Sequence, residues 1–265
     1  MALRLAVTGA GGRMGRALTA AILSTTDLVL CAALEKSESS LIGQPLSKLL
    51  NTSSKLTISD DIDKALTHTD VLIDFTSPAA TIQYVKVCEQ LKVPMVIGTT
   101  GLTPLEKQAL LQAAQQIGMV YSPNFSIGVN VMLKLLAASA HMLKDDYAVE
   151  IIEAHHQHKI DAPSGTALEM GKVIAEALGR DLDQCAVYDQ QSLHRERDPQ
   201  AIAFSSIRAG DIIGEHAVWF VGEAERIEII HKAHNRQALV KGALRAACWI
   251  ANHPVGLYSM QDVID

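Results

Sequence analysis

The sequence has few aromatic residues, no closely spaced cysteines and no excess of positive charge. Phe, Trp and Tyr make up 4% of its 265 residues, too few for the aromatic platforms on which proteins stack single-stranded nucleic acid. Aspartates and glutamates (29) outnumber lysines and arginines (23), and the net charge of −6 argues against binding nucleic acid or an anionic membrane. The four cysteines lie far apart, so neither a thiolate zinc site nor a disulfide framework is expected, and the cytoplasm is the expected location.

The sequence also lacks a long uninterrupted apolar run. A membrane-spanning helix needs roughly 18 or more apolar residues, but the longest candidate, residues 129–143, contains Asn130, Lys134 and His141. The first apolar stretch, residues 5–7, runs directly into a glycine-rich loop and lacks the cleavage region of a signal peptide. With 48% hydrophobic and 20% charged residues, the chain is expected to form a soluble globular protein with one or two domains.

Short apolar runs alternate with helical segments over the first 126 residues. Buried-strand patterns occur at residues 3–8, 28–34, 71–75, 93–97 and 119–121. A capping box with proline at the first helical position, residues 103–106, marks the start of one of the intervening helices. This alternation predicts an α/β domain with a doubly wound parallel sheet of the Rossmann type.

The pattern changes after about residue 126. Helices are predicted at residues 129–144 and 164–178, and strands at residues 148–154, 202–208, 216–221 and 226–231. The last two strands flank a short turn and should form a hairpin. The pattern therefore predicts a second, α+β domain with an open mixed sheet at residues 127–236. A final amphipathic helix could pack back on the first domain, which would then comprise residues 1–126 and 237–265.

A glycine-rich loop, residues 9–15, follows the first strand and opens a helix. Its spacing is Gly-x-x-Gly-x-x-Gly rather than Gly-x-Gly-x-x-Gly. The missing side chains would let backbone N–H groups approach a pyrophosphate. Glu35 ends the next strand, 20 positions after Gly15, and could accept hydrogen bonds from a ribose. The alternative is a tight turn without a ligand. Lys36 either pairs with a ribose 2′-phosphate, which would permit NADPH besides NADH, or is an ordinary surface lysine.

Two more loops follow later strands of the predicted parallel sheet. They are residues 98–101 and residues 122–125, and doubly wound sheets bind their ligands at the carboxyl ends of the strands. Both loops could therefore complete a cofactor site. Either could instead be an ordinary connection, and Phe125 could be a core residue.

Residues 153–167 are the most informative segment. Three of the ten histidines, His155, His156 and His158, fall within four residues, and Lys159 follows at once. A zinc site is one alternative, but the segment lacks an i, i+4 histidine pair on a helix and a cysteine partner, so no metal is expected. A structural histidine cluster is another. Acid–base chemistry fits better, because histidine titrates near neutrality and lysine can deliver a proton.

A small anion site is predicted directly after these histidines. Ser164, Gly165 and Thr166 open a helix, whose free N–H groups and hydroxyls can bind a carboxylate. The segment therefore predicts a pocket for a small, dicarboxylic substrate beside a nicotinamide. Adjacent residues of an extended chain point to opposite sides, so the pattern by itself leaves open which of His155 and His156 faces the ligand.

At these positions the chain resembles the 4-hydroxy-tetrahydrodipicolinate reductase (dihydrodipicolinate reductase) family of lysine and diaminopimelate biosynthesis. The resemblance covers nearly the whole chain, and the histidine–lysine segment is highly specific to the family. It is carried by residues 9–15, 98–101, 126–132, 155–167, 208–211 and 214–216.

The resemblance implies an NAD(P)H-dependent reduction of the substrate with loss of water. It implies His155 as the acid–base residue and Lys159 as the proton donor, and a homotetramer assembled through the sheet of the second domain. The substrate carboxylates would be held by His156, Gly165 and Thr166. The implied cofactor site comprises Gly9, Ala10, Gly11, Gly12, Arg13, Met14, Glu35, Lys36, Gly98, Thr99, Thr100, Ser122, Pro123, Asn124 and Phe125. The family often has arginine where Lys36 stands, so the preference between NADPH and NADH stays open.

Two other functions are alternatives to the reductase. A non-catalytic sensor would need only the dinucleotide-binding domain, since fold does not dictate function. A related reductase of another small acid, such as a semialdehyde dehydrogenase, usually needs a cysteine nucleophile. None of the four cysteines lies in a loop beside the predicted site.

Overall fold

A computed structural model of the chain describes residues 2–189, 196, 198–235 and 237–265. The backbone divides into two compact units, Met1–Ile127 with Gln237–Asp265, and Gly128–Arg236. The strands are β1 (Leu3–Thr8), β2 (Leu28–Leu34), β3 (Ile58–Ser59), β4 (Val71–Asp74), β5 (Met95–Ile97), β6 (Gly118–Tyr121), β7 (Ala148–His155), β8 (Ala186–Val187), β9 (Ile202–Arg208), β10 (Glu215–Val221), β11 (Arg226–Lys232) and β12 (Gly256–Tyr258). The helices are α1 (Arg13–Leu23), α2 (Ile62–Leu66), α3 (Pro78–Leu91), α4 (Pro104–Ala113), α5 (Ile127–Leu143), α6 (Gly165–Ala177), α7 (Leu182–Cys185), α8 (Gln237–Ile250) and α9 (Met260–Ile264).

The first unit is built on a seven-stranded sheet in the order β12-β6-β5-β4-β1-β2-β3, and all its neighbouring strands are parallel. Successive side chains of β1 lie in different cores: Leu5 and Val7 belong to one and Ala6 to the other. A sheet covered on both faces needs such continuous apolar strands. The predicted Rossmann-type fold class is confirmed, and the capping box of Thr103 and Glu106 opens α4 as expected.

The order of these strands determines where their loops meet. Strand β1 lies between β2 and β4, so the chain leaves β1 toward one edge of the sheet and later returns to its other side. Such a switch point opens a crevice at the carboxyl ends of the strands, where doubly wound sheets bind their ligands. The loops after β1, β2, β4, β5 and β6 all begin at this edge.

The second unit contains a mixed five-stranded sheet in the order β11-β10-β7-β9-β8. β10 runs antiparallel to β7 and β11, whereas β9 runs parallel to β7 and β8. The predicted hairpin of β10 and β11 and the open mixed sheet are confirmed. One face packs on α5 and α6 through a core that includes Val149, Ile151 and Phe220. On the other face, Ile207 and Ile230 are about half exposed.

Helix α5 with the turn after it, Ile127–Asp146, is long and apolar enough by length and composition to cross a membrane, with a mean hydropathy of 1.2. Its residues Met132, Leu136 and Ala140 are nevertheless buried in the core of the second unit. The packing of these residues in the core accounts for part of the apolar composition of α5, since 33% of its 18-residue apolar window is buried.

Candidate functional site

The glycine-rich loop after β1 forms a tight turn that packs directly on α1. Gly9 has a φ of +61°, a conformation that favours glycine, and its carbonyl accepts a hydrogen bond from Gly12 N–H at 2.9 Å. A Cβ built on Gly15 would lie 2.0 Å from the same carbonyl oxygen. Ala10 N–H donates to Leu34 O of the neighbouring strand at 3.0 Å. Glycines at positions 9 and 15 thus allow the loop and helix to approach closely.

The N-terminus of α1 has the features of an anion site. Gly12 is its N-cap, and among the described residues no side chain caps it and no acidic residue occupies its first turn. Its first N–H groups therefore lack side-chain acceptors, and the helix dipole favours a negative group there. Arg13 opens the helix and is exposed, and Met14 follows it. A dinucleotide pyrophosphate fits this combination of glycine loop, open helix start and positive charge.

Glu35 lies beside the loop, as its position after β2 predicts. Its Oε1 accepts a hydrogen bond from Gly11 N–H at 2.7 Å, and a Cβ on Gly11 would lie 2.9 Å from that oxygen. The carboxylate is half-buried and Lys36 is exposed. Two features predicted from separate parts of the sequence are therefore adjacent in the structure.

A fully buried carboxylate that sequence analysis missed joins the loops at this edge. Asp74 ends β4 and is 0% exposed. Its oxygens accept hydrogen bonds from Thr8, Thr76 and Thr81 hydroxyls at 2.6, 2.6 and 2.5 Å, and from Thr99 at 3.2 Å. Since these threonines belong to β1, α3 and the loops after β4 and β5, Asp74 fixes their relative positions. Its only signal in the sequence is a charged residue ending an apolar strand.

The remaining two loops hold the other residues of the implied cofactor site. Thr99 is buried on Asp74, and Thr100 beside it is exposed. A Cβ on Gly98 would lie 2.0 Å from the ring of Phe75, so only glycine fits there.

The loop after β6 is held by its own polar atoms. Ser122 Oγ donates to Asn124 O at 2.9 Å, and Asn124 Oδ1 accepts from Ser126 N–H at 2.8 Å, while Pro123 is exposed. Phe125 is 1% exposed and belongs to the core. Its burial favours the interpretation of Phe125 as a core residue.

In the second unit, β7 ends at His155, whose two ring nitrogens lie in different surroundings. Nδ1 lies 2.5 Å from Glu153 Oε2, and the side chain is 12% exposed. On the other side of the ring, a Cβ on Gly214 would lie 3.1 Å from Nε2. The glycine therefore leaves space beside Nε2 that a larger residue would fill.

Glu153 is 1% exposed and is the centre of this cluster. Arg208 Nη2 donates to its Oε1 at 2.7 Å and Nη1 to its Oε2 at 2.9 Å. Burial would raise the pKa of this carboxyl, but hydrogen bonds from Arg208, Ser206 and His155 outweigh it and hold the pKa at about 2. Glu153 is therefore ionised at neutral pH.

The two buried histidines of the cluster both favour the neutral form. Burial lowers the pKa of His155, and its hydrogen bond and attraction to Glu153 offset only part of this effect. His216 is 5% exposed, and burial together with the nearby positive charge of His155 lowers its pKa to about 4. The two rings meet edge to face with centroids 5.2 Å apart, and His216 Nε2 lies 3.0 Å from Ser164 Oγ.

Helix α6 begins where the anion site was predicted. Its N-cap is Ser164, whose Oγ accepts a hydrogen bond from Ala167 N–H at 3.2 Å and whose own N–H donates to Glu153 Oε1 at 3.2 Å. Gly165 is exposed with no heavy atom within 4 Å of a built Cβ, and Thr166 is half-buried. The start of α6 is thus fixed by the hydrogen bond to Glu153 and is exposed to solvent at Gly165.

Lys159 lies in the turn that leads to this helix. Its Nζ donates to both carboxylate oxygens of Asp161 at 2.9 and 2.8 Å, and the lysine side chain is 21% exposed. This hydrogen bond lowers the pKa of Asp161.

His156 is half-buried, and its Nδ1 has no hydrogen-bond partner among the described residues. Within the same residues no cluster of three or more His, Cys, Asp or Glu could hold a metal ion.

The structure therefore brings His155 and Ser164 together through Glu153, Arg208 and His216, to which sequence analysis gave no role. Glu153 opens the histidine-rich segment, so its type and position were visible. Arg208 is 55 residues away in sequence. Its position beside Glu153 depends on the register of the strands, since Arg208 of β9 pairs with His155 of β7.

Both halves of the chain match models of one protein family. Residues 3–125 match "Dihydrodipicolinate reductase, N-terminus" and residues 128–264 match "Dihydrodipicolinate reductase, C-terminus". The chain is 51% identical to the 4-hydroxy-tetrahydrodipicolinate reductase of Laribacter hongkongensis over 99% of its length and 98% of the relative's. It is 48% identical to that of Nitrosospira multiformis, over 99% and 97% of the two chains.

A solved structure is similar along the same length. It is a dipicolinate-bound dihydrodipicolinate reductase from Paenisporosarcina sp. TG-14, with a TM-score of 0.80, 27% identity and 99% of both chains covered. By sequence over its full length and by fold, this chain belongs to the dihydrodipicolinate reductase family.

Proposed function

We propose that the protein reduces 4-hydroxy-tetrahydrodipicolinate to tetrahydrodipicolinate with loss of water, using NADPH or NADH, in diaminopimelate and lysine biosynthesis. The observation that carries the proposal is the 51% identity, over 99% of the chain, with a relative of that name. The cluster around His155 and the open start of α6 supply groups that this chemistry needs: proton-transfer residues and an anion site.

The proposed cofactor site is the edge of the parallel sheet where the loops containing residues 9–14, 98–100 and 122–125 begin. The N-terminus of α1 would hold the pyrophosphate, and Glu35 would exchange its hydrogen bond with Gly11 for the ribose hydroxyls. When bound, the nicotinamide supplies a hydride to the substrate. The chain's own part is to orient the cofactor and, through Lys36, to offer a cation to a 2′-phosphate.

The proposed substrate site lies around His155 and the start of α6. Gly165, Thr166 and His156 would hold the two carboxylates, since the helix start favours negative groups. Lys159 would stabilise the negative charge that develops as hydride arrives and then deliver a proton. Because its pKa is lowered, His155 would be mostly neutral at pH 7, the form that can accept or relay a proton through Nε2.

The direct test follows the oxidation of NADPH and NADH by the purified protein, supplied with the product of dihydrodipicolinate synthase. Turnover that requires this product supports the proposal, and no turnover with either cofactor refutes it. His155→Gln should lower kcat by about 100-fold or more while cofactor binding is retained. The matched control is His158→Gln, since His158 is an exposed histidine of the same segment. Equal rates for both variants would exclude an acid–base role for His155.

Cofactor preference is tested at Lys36. If Lys36 binds the 2′-phosphate, Lys36→Ala should raise the KM for NADPH by about tenfold or more and leave the KM for NADH unchanged, because a charge-assisted hydrogen bond is lost only with the phosphorylated cofactor. Equal changes for both cofactors would instead indicate a general effect on the loop.

We also propose that the protein is a homotetramer in the cytoplasm, assembled through the open face of the mixed sheet. This face carries Trp219 and Val221 of β10 as well as the half-exposed Ile207 and Ile230, and such apolar patches are typical of subunit contacts. All four cysteines are free, as suits a reducing compartment. Light scattering should give four times the mass of the chain, and Ile230→Glu should give smaller species. A monomeric parent protein would contradict the tetramer.

A further inference from the structure

We infer that Glu153, supported by Arg208, is a positioning residue that fixes the tautomer of His155 and the start of the anion-binding helix α6 together. The inference deepens the proposed function, since it takes His155 as the acid–base residue of that reaction. It assigns a purpose to a carboxylate that is buried from the solvent, at 1% exposure.

The two oxygens of Glu153 serve different parts of the site. Oε2 receives His155 Nδ1 at 2.5 Å, whereas Oε1 receives the backbone N–H of Ser164 at 3.2 Å. Arg208 donates to both oxygens and holds the carboxylate plane between them. One side chain therefore links the end of β7 to the first turn of α6.

This geometry determines which nitrogen of His155 carries the proton. A carboxylate with a pKa of about 2 is ionised and can only accept hydrogen bonds. Nδ1 of His155 must therefore be its donor, so in the neutral ring Nε2 carries the lone pair. Nε2 is also the nitrogen beside Gly214, where a built Cβ would lie 3.1 Å from it. The tautomer that Glu153 selects thus directs the basic nitrogen away from the buried cluster.

Arg208 extends the same support to the loop that carries Lys159. Its Nη2 donates to Asp161 O at 2.6 Å as well as to Glu153. It also compensates the buried charge, since an ionised carboxylate without a partner would be costly at this depth. The pair therefore positions the proton donor's loop, the histidine and the helix start from one buried point.

The charged groups facing His155 allow the effect of removing Glu153 to be predicted. They are Glu153 on its own strand, Arg208 on β9, His216 on β10 and Lys159 in the following turn. Only Glu153 stabilises the imidazolium, whereas Arg208 and Lys159 disfavour it. Glu153→Gln should therefore lower the pKa of His155 by about one unit or more.

The test records the titration and the tautomer of His155 by nitrogen NMR on histidine-labelled protein without substrate, with the signal assigned from His155→Gln. We expect a lower His155 pKa and a loss of the strict Nδ1–H tautomer in Glu153→Gln, and at least partial recovery of both in Glu153→Asp. A purely structural ion pair between Glu153 and Arg208 would leave both unchanged, and that result would overturn the inference.

Kinetics give a second readout on the complete enzyme. In Glu153→Gln, kcat should fall about tenfold or more, the limb of the pH profile governed by His155 should move to lower pH, and the Kd of the cofactor should stay unchanged. The control is Glu176→Gln, which removes an exposed carboxylate of α6 paired with Lys172 and should retain the parent values. A pH profile that does not move in Glu153→Gln would count against the inference.

A double variant distinguishes a loss of folding from a loss of positioning. If Glu153→Gln does not fold, Glu153→Leu combined with Arg208→Met removes both charges together, which is better tolerated than stranding one. Retention of the Nδ1–H tautomer in that protein would overturn the inference, and its loss would support it. If the parent protein shows no reductase turnover but Glu153→Gln still changes the pKa and tautomer of His155, only the proposed function is refuted. If the parent is an active reductase and Glu153→Gln leaves the pKa and tautomer of His155 unchanged, only the positioning role is refuted.

Discussion

Acidification from pH 7 to pH 5 should destabilise the protein largely through one residue, His216. This side chain is 5% exposed, and its Nε2 lies 3.0 Å from Ser164 Oγ. Burial and the nearby charge of His155 lower its pKa from 6.5 to about 4. The folded protein therefore binds a proton at His216 less readily than the unfolded chain does.

The sign and size of the effect follow from this difference in pKa. A group whose pKa is lowered on folding contributes stability that is fully present above its unfolded pKa and is lost as the pH falls toward its folded pKa. A fall from 6.5 to about 4 corresponds to about 3.4 kcal/mol in total, and about 1.8 kcal/mol of this is lost between pH 7 and pH 5. Glu153, with a pKa of about 2, loses its contribution only at lower pH.

The assay is urea unfolding of the parent protein and His216→Gln at pH 7 and pH 5, at one protein concentration. The free energy of unfolding should fall between pH 7 and pH 5 by about 1.8 kcal/mol less in His216→Gln than in the parent protein. A smaller dependence of the same sign should persist, because the pKa values of His155 and His231 are also lowered. His68→Gln removes an exposed histidine and is the control: its free energy of unfolding should depend on pH as in the parent protein. An equal pH dependence in parent and His216→Gln would refute the reasoning.

Three substitutions test close packing and buried charge elsewhere. Gly242→Ala would place a Cβ 1.6 Å from Phe125 O, so we expect a loss of about 1–3 kcal/mol in stability, and an unchanged Tm would contradict this packing. Gly214→Ala would place a Cβ 3.1 Å from His155 Nε2 and should lower kcat without changing cofactor affinity; an unaltered kcat would show that this space is not used. Asp74→Asn replaces the acceptor of four hydroxyls and should cost about 2–4 kcal/mol by denaturation, whereas a loss below about 1 kcal/mol would mean that the charge is dispensable.

The long strands could be predicted from the sequence because burial on both faces leaves a continuous apolar run. The predicted bounds of β1 and β2 agree with the structure. β3, β8 and β12 were not predicted, because they span two or three residues and lie at the margins of the sheets. Strands of that length have too few residues to show a period of their own. β5 is as short but lies inside its sheet, within the apolar run of residues 93–97.

The residue types of the candidate site could be predicted more readily than their partners. Glycine spacing and a terminal acid predicted that the loop and Glu35 serve one ligand, since both follow neighbouring strands of one sheet. The hydrogen bond from Gly11 N–H to Glu35 was not itself predicted. The contact of Arg208 with Glu153 was not predicted, since it depends on the parallel register of β9 with β7. Register is a tertiary property, and one sequence shows only which residues could be matched.

The two buried carboxylates explain how each unit can hold a different kind of site. Asp74 is satisfied by threonine hydroxyls, which provide hydrogen bonds without adding positive charge. Glu153 is satisfied by a guanidinium, which compensates its charge. Burial, and to a smaller extent the charges of Lys159 and Arg208, lower the pKa of His155. The two carboxylates differ in what they contact: Asp74 accepts hydrogen bonds from hydroxyls and orders loops, whereas Glu153 contacts a titratable histidine and therefore also adjusts its proton affinity.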